Sequence, residues 1–231
     1  MSARARPRAR AAIGLGWLAL VAALLALGTW QVQRRAWKLD LIAQVDARIH
    51  AAPVPAPRTA TTDDAYRRVV VRGTYLPGHD SFVQASTVRG PGWWVLTPLQ
   101  TDGGGIVLIN RGVMPSRIAP PPPAERLGVT GLLRVSEPGG GFLRSNDAAA
   151  DRWYSRDVAA IAGKRGLAHV APYFIDADAS ANAPGRPIGG LTVVHFANSH
   201  LVYAITWYAL AIMAAAGFLY WLRLQPTEDI A

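Results

Sequence analysis

Two long stretches without a formal charge set the frame for this chain. Ile13 to Leu27 contains no charged residue, and neither does Leu201 to Leu222. With its flanks, each approaches the roughly 20 residues a helix needs to cross the hydrocarbon layer. Backbone groups in lipid have no water to bond, so both segments read as helices, over 11–30 and 199–222. The chain is 51% hydrophobic, and these two stretches carry much of that excess, which is too uneven for a simple soluble domain.

Orientation follows from the basic residues. Arg4, Arg6, Arg8 and Arg10 precede the first stretch, while Arg34, Arg35 and Lys38 follow it. The bias favours a cytoplasmic N-terminus. Residues 1–10 and 223–231 are then cytoplasmic tails, and 31–198 is a domain outside the cytoplasm, periplasmic in a bacterium. A secretory leader is the rival reading, with Ala26-Leu27-Gly28 as its cleavage site. Against it, a helical pattern continues through Trp30, Arg34 and Trp37.

A formal charge of +9 would suit nucleic acid if it were clustered, but the basic residues are scattered. Much of the excess is the N-terminal tail, which suits the anionic inner leaflet of a lipid bilayer. The absence of cysteine excludes disulfides, thiolate copper chemistry and covalent haem attachment, and three Met do not make a methionine-rich copper carrier.

Between the apolar stretches the pattern changes twice. Leu39, Ile42, Val45 and Ile49 recur at helical spacing, so 31–50 reads as an extension of the first helix. Residues 51–62 are rich in Pro and Ala and read as a linker. Strand candidates follow: Arg67 to Tyr75, Ser81 to Val88, Trp93 to Leu99, Ile106 to Asn110, Gly128 to Val135 and Ala168 to Ile175. Thr101-Asp102-Gly103-Gly104-Gly105 between two of them signals a hairpin, and no Lys-Ser/Thr follows to make it a phosphate loop. Ser155 to Ala162 reads as a short helix capped by Ser155, with Asp157 in its first turn. The expected fold is a membrane protein with two transmembrane helices flanking an extracytoplasmic α+β domain dominated by antiparallel strands.

The second apolar stretch opens on Asn198-Ser199-His200-Leu201-Val202-Tyr203-Ala204-Ile205-Thr206-Trp207. Tyr203 and Trp207, three and seven residues after His200, fall on its side of a helix. One imidazole above two aromatic rings suits a flat, metal-bearing, mostly apolar ligand. The plainer reading is an interfacial histidine with two belt aromatics. Small residues at Ala19 and Ala23, Ala22 and Ala26, and at Ala211, Ala215 and Gly217 would let the two helices pack closely.

Separated motifs carry a resemblance. Leu27-Gly28-Thr29-Trp30-Gln31 with Arg34 and Trp37-Lys38, Arg72-Gly73-Thr74-Tyr75, Gly92 with Val95-Leu96-Thr97-Pro98-Leu99, Ile109-Asn110-Arg111-Gly112, and Asn198 to Trp207 occur in this order. In them the chain resembles the Surfeit locus protein 1 family, an assembly factor for haem–copper cytochrome c oxidase. Two departures are Val113-Met114 where the family usually has Trp-Val, and Ser199 where it usually has Asn.

The resemblance implies an inner-membrane protein that helps build the haem a centre of oxidase subunit I. It also implies haem a binding through the histidine of the second span, here His200, with the iron as the metal. Tyr203 and Trp207 would pack on the macrocycle, and His195 is a reserve ligand. A haem propionate is a carboxylate, which Arg34 or Arg35 could grip as a fork; the alternative is that both arginines reach to lipid headgroups. The functional alternative is a membrane-tethered scaffold that binds oxidase subunits without touching haem. An enzyme is not expected, since the sequence holds neither a nucleophile elbow nor a metal-spaced His/Glu pair.

Overall fold

The computed structural model describes residues 5–179, 187–192 and 196–224. The chain divides into two compact units, one made of its two ends, up to Ala43 and from His195, and one of Gln44–Val194. The first helix passes 30/31 without a break and ends at His50.

In the helical unit, α1 spans Ala5–His50, crossing into the second unit at its end, and α3 spans His200–Arg223. The 46 residues of α1 extend about 69 Å at 1.5 Å per residue. Both helices are long and apolar enough to cross a membrane. Large apolar side chains point outward on several faces, among them Leu15, Leu18, Leu20 and Leu25 on α1 and Val202, Ile205, Ile212 and Met213 on α3.

The helices pack antiparallel. Positions Gly14, Trp17, Val21, Leu24, Gly28, Gln31, Arg35 and Lys38 are the shielded face of α1, alternating three and four residues apart. That spacing is the seam of a left-handed helix pair. Glycine meets aromatic across it: a Cβ on Gly28 would lie 2.8 Å from the Tyr208 ring, and one on Gly217 would lie 3.3 Å from Trp17. Ala19, Ala22, Ala23 and Ala26, expected at the contact, are exposed instead; they lie off the three-and-four seam. On α3 the small residues Ala204 and Ala211 are buried.

In the second unit the elements are β1 (Val54–Pro55), a 3₁₀ turn (Thr62–Asp64), β2 (Arg68–Tyr75), β3 (Ser81–Thr87), β4 (Gly90–Thr101), β5 (Ile106–Met114), β6 (Leu127–Val135), β7 (Gly140–Gly141), β8 (Arg144–Ser145), α2 (Val158–Lys164) and β9 (Val170–Ala177). The order β1-β2-β6-β9-β5-β4-β3 closes on itself, because β2 also pairs β4. The result is a five-stranded barrel, β2-β6-β9-β5-β4, with β1 and β3 added at its seam. Most ladders are antiparallel, but β5–β9 and β1–β2 run parallel, so the sheet is mixed rather than simply antiparallel. The parallel pair is possible because a long crossover through β6 and α2 returns the chain alongside β5.

Alternation along the strands makes two cores. Val69, Val71, Leu99, Val107, Ile109, Val129, Leu133 and Ile175 fill the barrel. Residues one step out of phase, Leu96, Leu108 and Phe174, join Val83, Trp153, Val158 and Ile161 beneath α2. Gly73 sits where β2 leaves β6 and meets β4; a Cβ there would lie 2.1 Å from the Gln100 carbonyl oxygen.

Three local expectations change. The 51–62 segment contains β1, which pairs with Val69 and Val70 of β2, so it is not only a linker. β4 begins at Gly90, leaving Val88-Arg89 as the turn, since Pro91 sits where β4 pairs only with Ser86. The cap of α2 is Asp157, whose carboxylate accepts from the Ala160 N–H at 3.1 Å, while the Ser155 hydroxyl donates to the Glu137 carbonyl.

The Asn110-Arg111-Gly112 motif is used structurally. The Asn110 side chain donates to Asp176 at 2.7 Å and accepts from the Gly112 N–H. Arg111 is buried and donates to the Pro120 carbonyl at 3.1 Å. Gly112 has φ +125 and lies against the Ile188 backbone. Asp176, also buried, is held by Arg134 at 2.9 Å and Arg156 at 3.2 Å, and both arginines also grip Glu137. Two carboxylates thus balance two guanidiniums in a place where an unpaired charge would be costly.

Candidate functional site

His200 is the first residue of α3, following Ser199, and is half-buried. Its Nδ1 lies 2.7 Å from Oε1 of Gln31 on α1. An amide oxygen only accepts, so Nδ1 carries the proton and donates. The other ring nitrogen, Nε2, has no hydrogen-bond partner among the described residues. In the neutral ring that nitrogen carries the lone pair with which imidazole binds a metal.

Two turns further along α3, the Tyr208 hydroxyl is 3.1 Å from the Thr29 hydroxyl oxygen. The Thr29 proton is committed to the Leu25 carbonyl at 2.9 Å, so Tyr208 is the donor. Gly28, Thr29 and Gln31 thus form one recognition strip against α3: clearance for a ring, an acceptor for its hydroxyl, and an acceptor for the imidazole. Just before α3, the side-chain oxygen of Asn198 is buried without a hydrogen-bond partner among the described residues.

The expected site residues separate into those near this strip and those outside it. Trp207 is half-buried, on the same side as His200 and the buried Ala204 and Ala211. Tyr203 is 53% exposed, because it lies on the flank of α3 away from α1. Arg35 falls one turn after Gln31 on the shielded face of α1 and is half-buried. Arg34 is exposed, with its guanidinium 3.9 Å from the centre of the Trp37 ring, where cation–π attraction holds it. His195 lies outside the described residues. Gln31 was legible only as a letter in a motif. Nothing local marks it as the partner of a residue 169 positions away.

The barrel unit has a separate cleft of about 990 Å³ at one mouth, between Pro55–Thr59, the Gly103–Gly105 turn and His169–Tyr173. The Tyr173 hydroxyl reaches out of the barrel to the Pro57 carbonyl at 2.5 Å, and burial pushes that hydroxyl up to about 12. The cleft's one carboxylate, Asp102, is paired with Arg126; that hydrogen bond holds it below its ordinary 3.8. The residues that line it all belong to the barrel unit.

These features define a class of protein: a closed barrel together with a pair of apolar helices, the second opening on a histidine whose Nδ1 meets the side chain of the first. The chain belongs to the SURF1 family, whose pattern matches residues 18–212. It is 35% identical to Surfeit locus protein 1 of Homo sapiens over 94% of this chain and 80% of that protein. It is 36% identical to the Gallus gallus protein of that name, over 90% of this chain and 74% of that protein. The SURF1-like protein of Drosophila melanogaster is 32% identical over 91% of this chain.

Proposed function

We propose that this protein is a two-span membrane assembly factor that holds haem a through His200 on its way into subunit I of cytochrome c oxidase. The observation that carries this reading is the orientation of His200: Gln31 holds its Nδ1 and leaves Nε2 unpartnered among the described residues. The outward apolar surface of both helices supports the membrane placement, since such a surface in water would drive aggregation. Family membership supports the role in oxidase assembly.

The residues present fit a haem. His200 supplies a neutral nitrogen ligand. Arg35, on the Gln31 face of α1, supplies a cation for a carboxylate. The Asn198 side-chain oxygen, unpartnered among the described residues, supplies an acceptor for a hydroxyl group or a water at the rim. Trp207 supplies an apolar wall; Tyr203 serves better towards lipid or a partner protein. When bound, haem a would be cargo, and the residues' work is to hold and orient it.

A second reading has its own observation. The His200–Gln31 bond also clasps α1 to α3, so His200 could serve helix pairing alone in a scaffold for oxidase subunits. One experiment separates the two. The protein is purified from cells that make haem a, as wild type and as His200→Ala, and its absorption spectrum and melting are measured. Haem in the wild type and its loss in a variant that still melts cooperatively support the first reading. A colourless wild type, or equal haem in both, leaves the scaffold.

A further inference from the structure

A histidine that holds cargo for transfer has a requirement that a permanent ligand lacks: its bond to the iron must be firm but breakable. The group behind the imidazole tunes that bond. A carboxylate accepting from the distal N–H draws the proton and makes the ring more basic; a neutral carbonyl does so less; no acceptor leaves the ring free to turn. Here the acceptor is the side-chain amide of Gln31, 2.7 Å from Nδ1. It comes from a different helix, and Gly28 and Thr29 on the preceding turn lock that helix against Tyr208. The ring orientation is therefore set by the pairing of α1 with α3, through an acceptor that is itself neutral.

We infer that Gln31 is a positioning residue that fixes the orientation of the His200 ring from behind and, through the Nδ1 bond, sets how firmly Nε2 holds iron, so that the cargo is bound but can be released. The inference rests on the haem reading above. It assigns Gln31 no contact with the cargo itself.

The test uses the full chain in detergent or nanodiscs, loaded with haem a, in four forms: wild type, Gln31→Glu, Gln31→Met and His200→Ala. The readouts are the iron–imidazole stretching frequency of the reduced state, the midpoint potential, and the rate of haem transfer to excess apomyoglobin. Glutamate keeps the acceptor and adds charge, so Gln31→Glu should raise the stretching frequency, lower the potential and slow transfer by about 10-fold. Methionine keeps the length and removes the acceptor. Gln31→Met should lower the frequency and speed transfer by about 10-fold. If both Gln31 variants match wild type while His200→Ala has lost its haem, the inference fails and the haem reading stands. If His200→Ala keeps its haem, both fail. If Gln31→Glu lowers the frequency, the amide is turned so that its nitrogen donates to Nδ1, and the inference fails in that form too.

Discussion

Asp151 gathers donors from three directions. The Trp153 indole N–H reaches it at 2.7 Å, Arg165 grips both of its oxygens at 2.8 and 2.9 Å, and Arg117 approaches at 3.5 Å. Partial burial pushes its carboxyl up, but the bonds from Trp153 and Arg165 and the charges of Arg165 and Arg117 outweigh that push and hold it below 3.8. A carboxyl depressed in the folded state stabilises fully above its unfolded pKa, and that contribution is lost as pH falls through the lower, folded value. Asp151→Asn should therefore cost roughly 1 kcal/mol at pH 7 and progressively less below about pH 4. Thermal melts of the pair at pH 7 and pH 3 check this; a gap that persists unchanged at pH 3 contradicts it. At this scale the sequence was only half legible. His200 stood out because histidine at the edge of an apolar stretch is costly. Gln31 and Asp151 did not, because the meaning of each lies in a partner the chain brings from elsewhere.

Elements were more legible than their pairing. β-branched runs ended by Gly and Pro marked six of the strands, and their bounds moved by a few residues where a ladder extended past the apolar run, as with β5 beyond Asn110. The parallel β5–β9 pair and the closure of β2 on β4 left no local mark. Closure depends on Gly73, which permits two backbones to meet at a spacing that excludes any side chain. Gly73→Val should destabilise the barrel by about 3 kcal/mol or more. The neighbouring glycine in the same ladder is the control. Gly128 pairs Arg72, and a Cβ there would meet only the Arg72 side chain at an ordinary 3.9 Å, so Gly128→Ala should stay within about 0.5 kcal/mol. Urea denaturation of both variants compares them directly; equal costs would mean that the seam is not the sensitive point. The same lesson holds for the helices. Alanine repeats suggested a small-residue contact, but the seam follows the three-and-four spacing from Gly14 to Lys38, which selects glycine against aromatic rings.

For the whole molecule, the division of labour follows from where the polar partners lie. Among the described residues, both barrel cores and the Asp176 network draw on residues between Gln44 and Val194, whereas the side-chain bond of His200 joins α1 and α3. Folding energy in the barrel is therefore stored apart from the His200–Gln31 bond in the helix pair. The segment 44–194 expressed alone should fold, with a near-ultraviolet circular dichroism band from the buried Trp153 and a cooperative melt. Asp176→Ala in that segment strands Arg134 and Arg156 without their shared carboxylate, costing about 3 kcal/mol, or roughly 10 °C in melting temperature. His200→Ala in the full chain should leave the barrel's melt where it was while changing whatever the helix pair holds. A featureless spectrum from the isolated segment, or a barrel melt that falls with His200, would mean that the two units depend on each other, and the histidine's effect on function would then have to be sought in folding rather than in coordination.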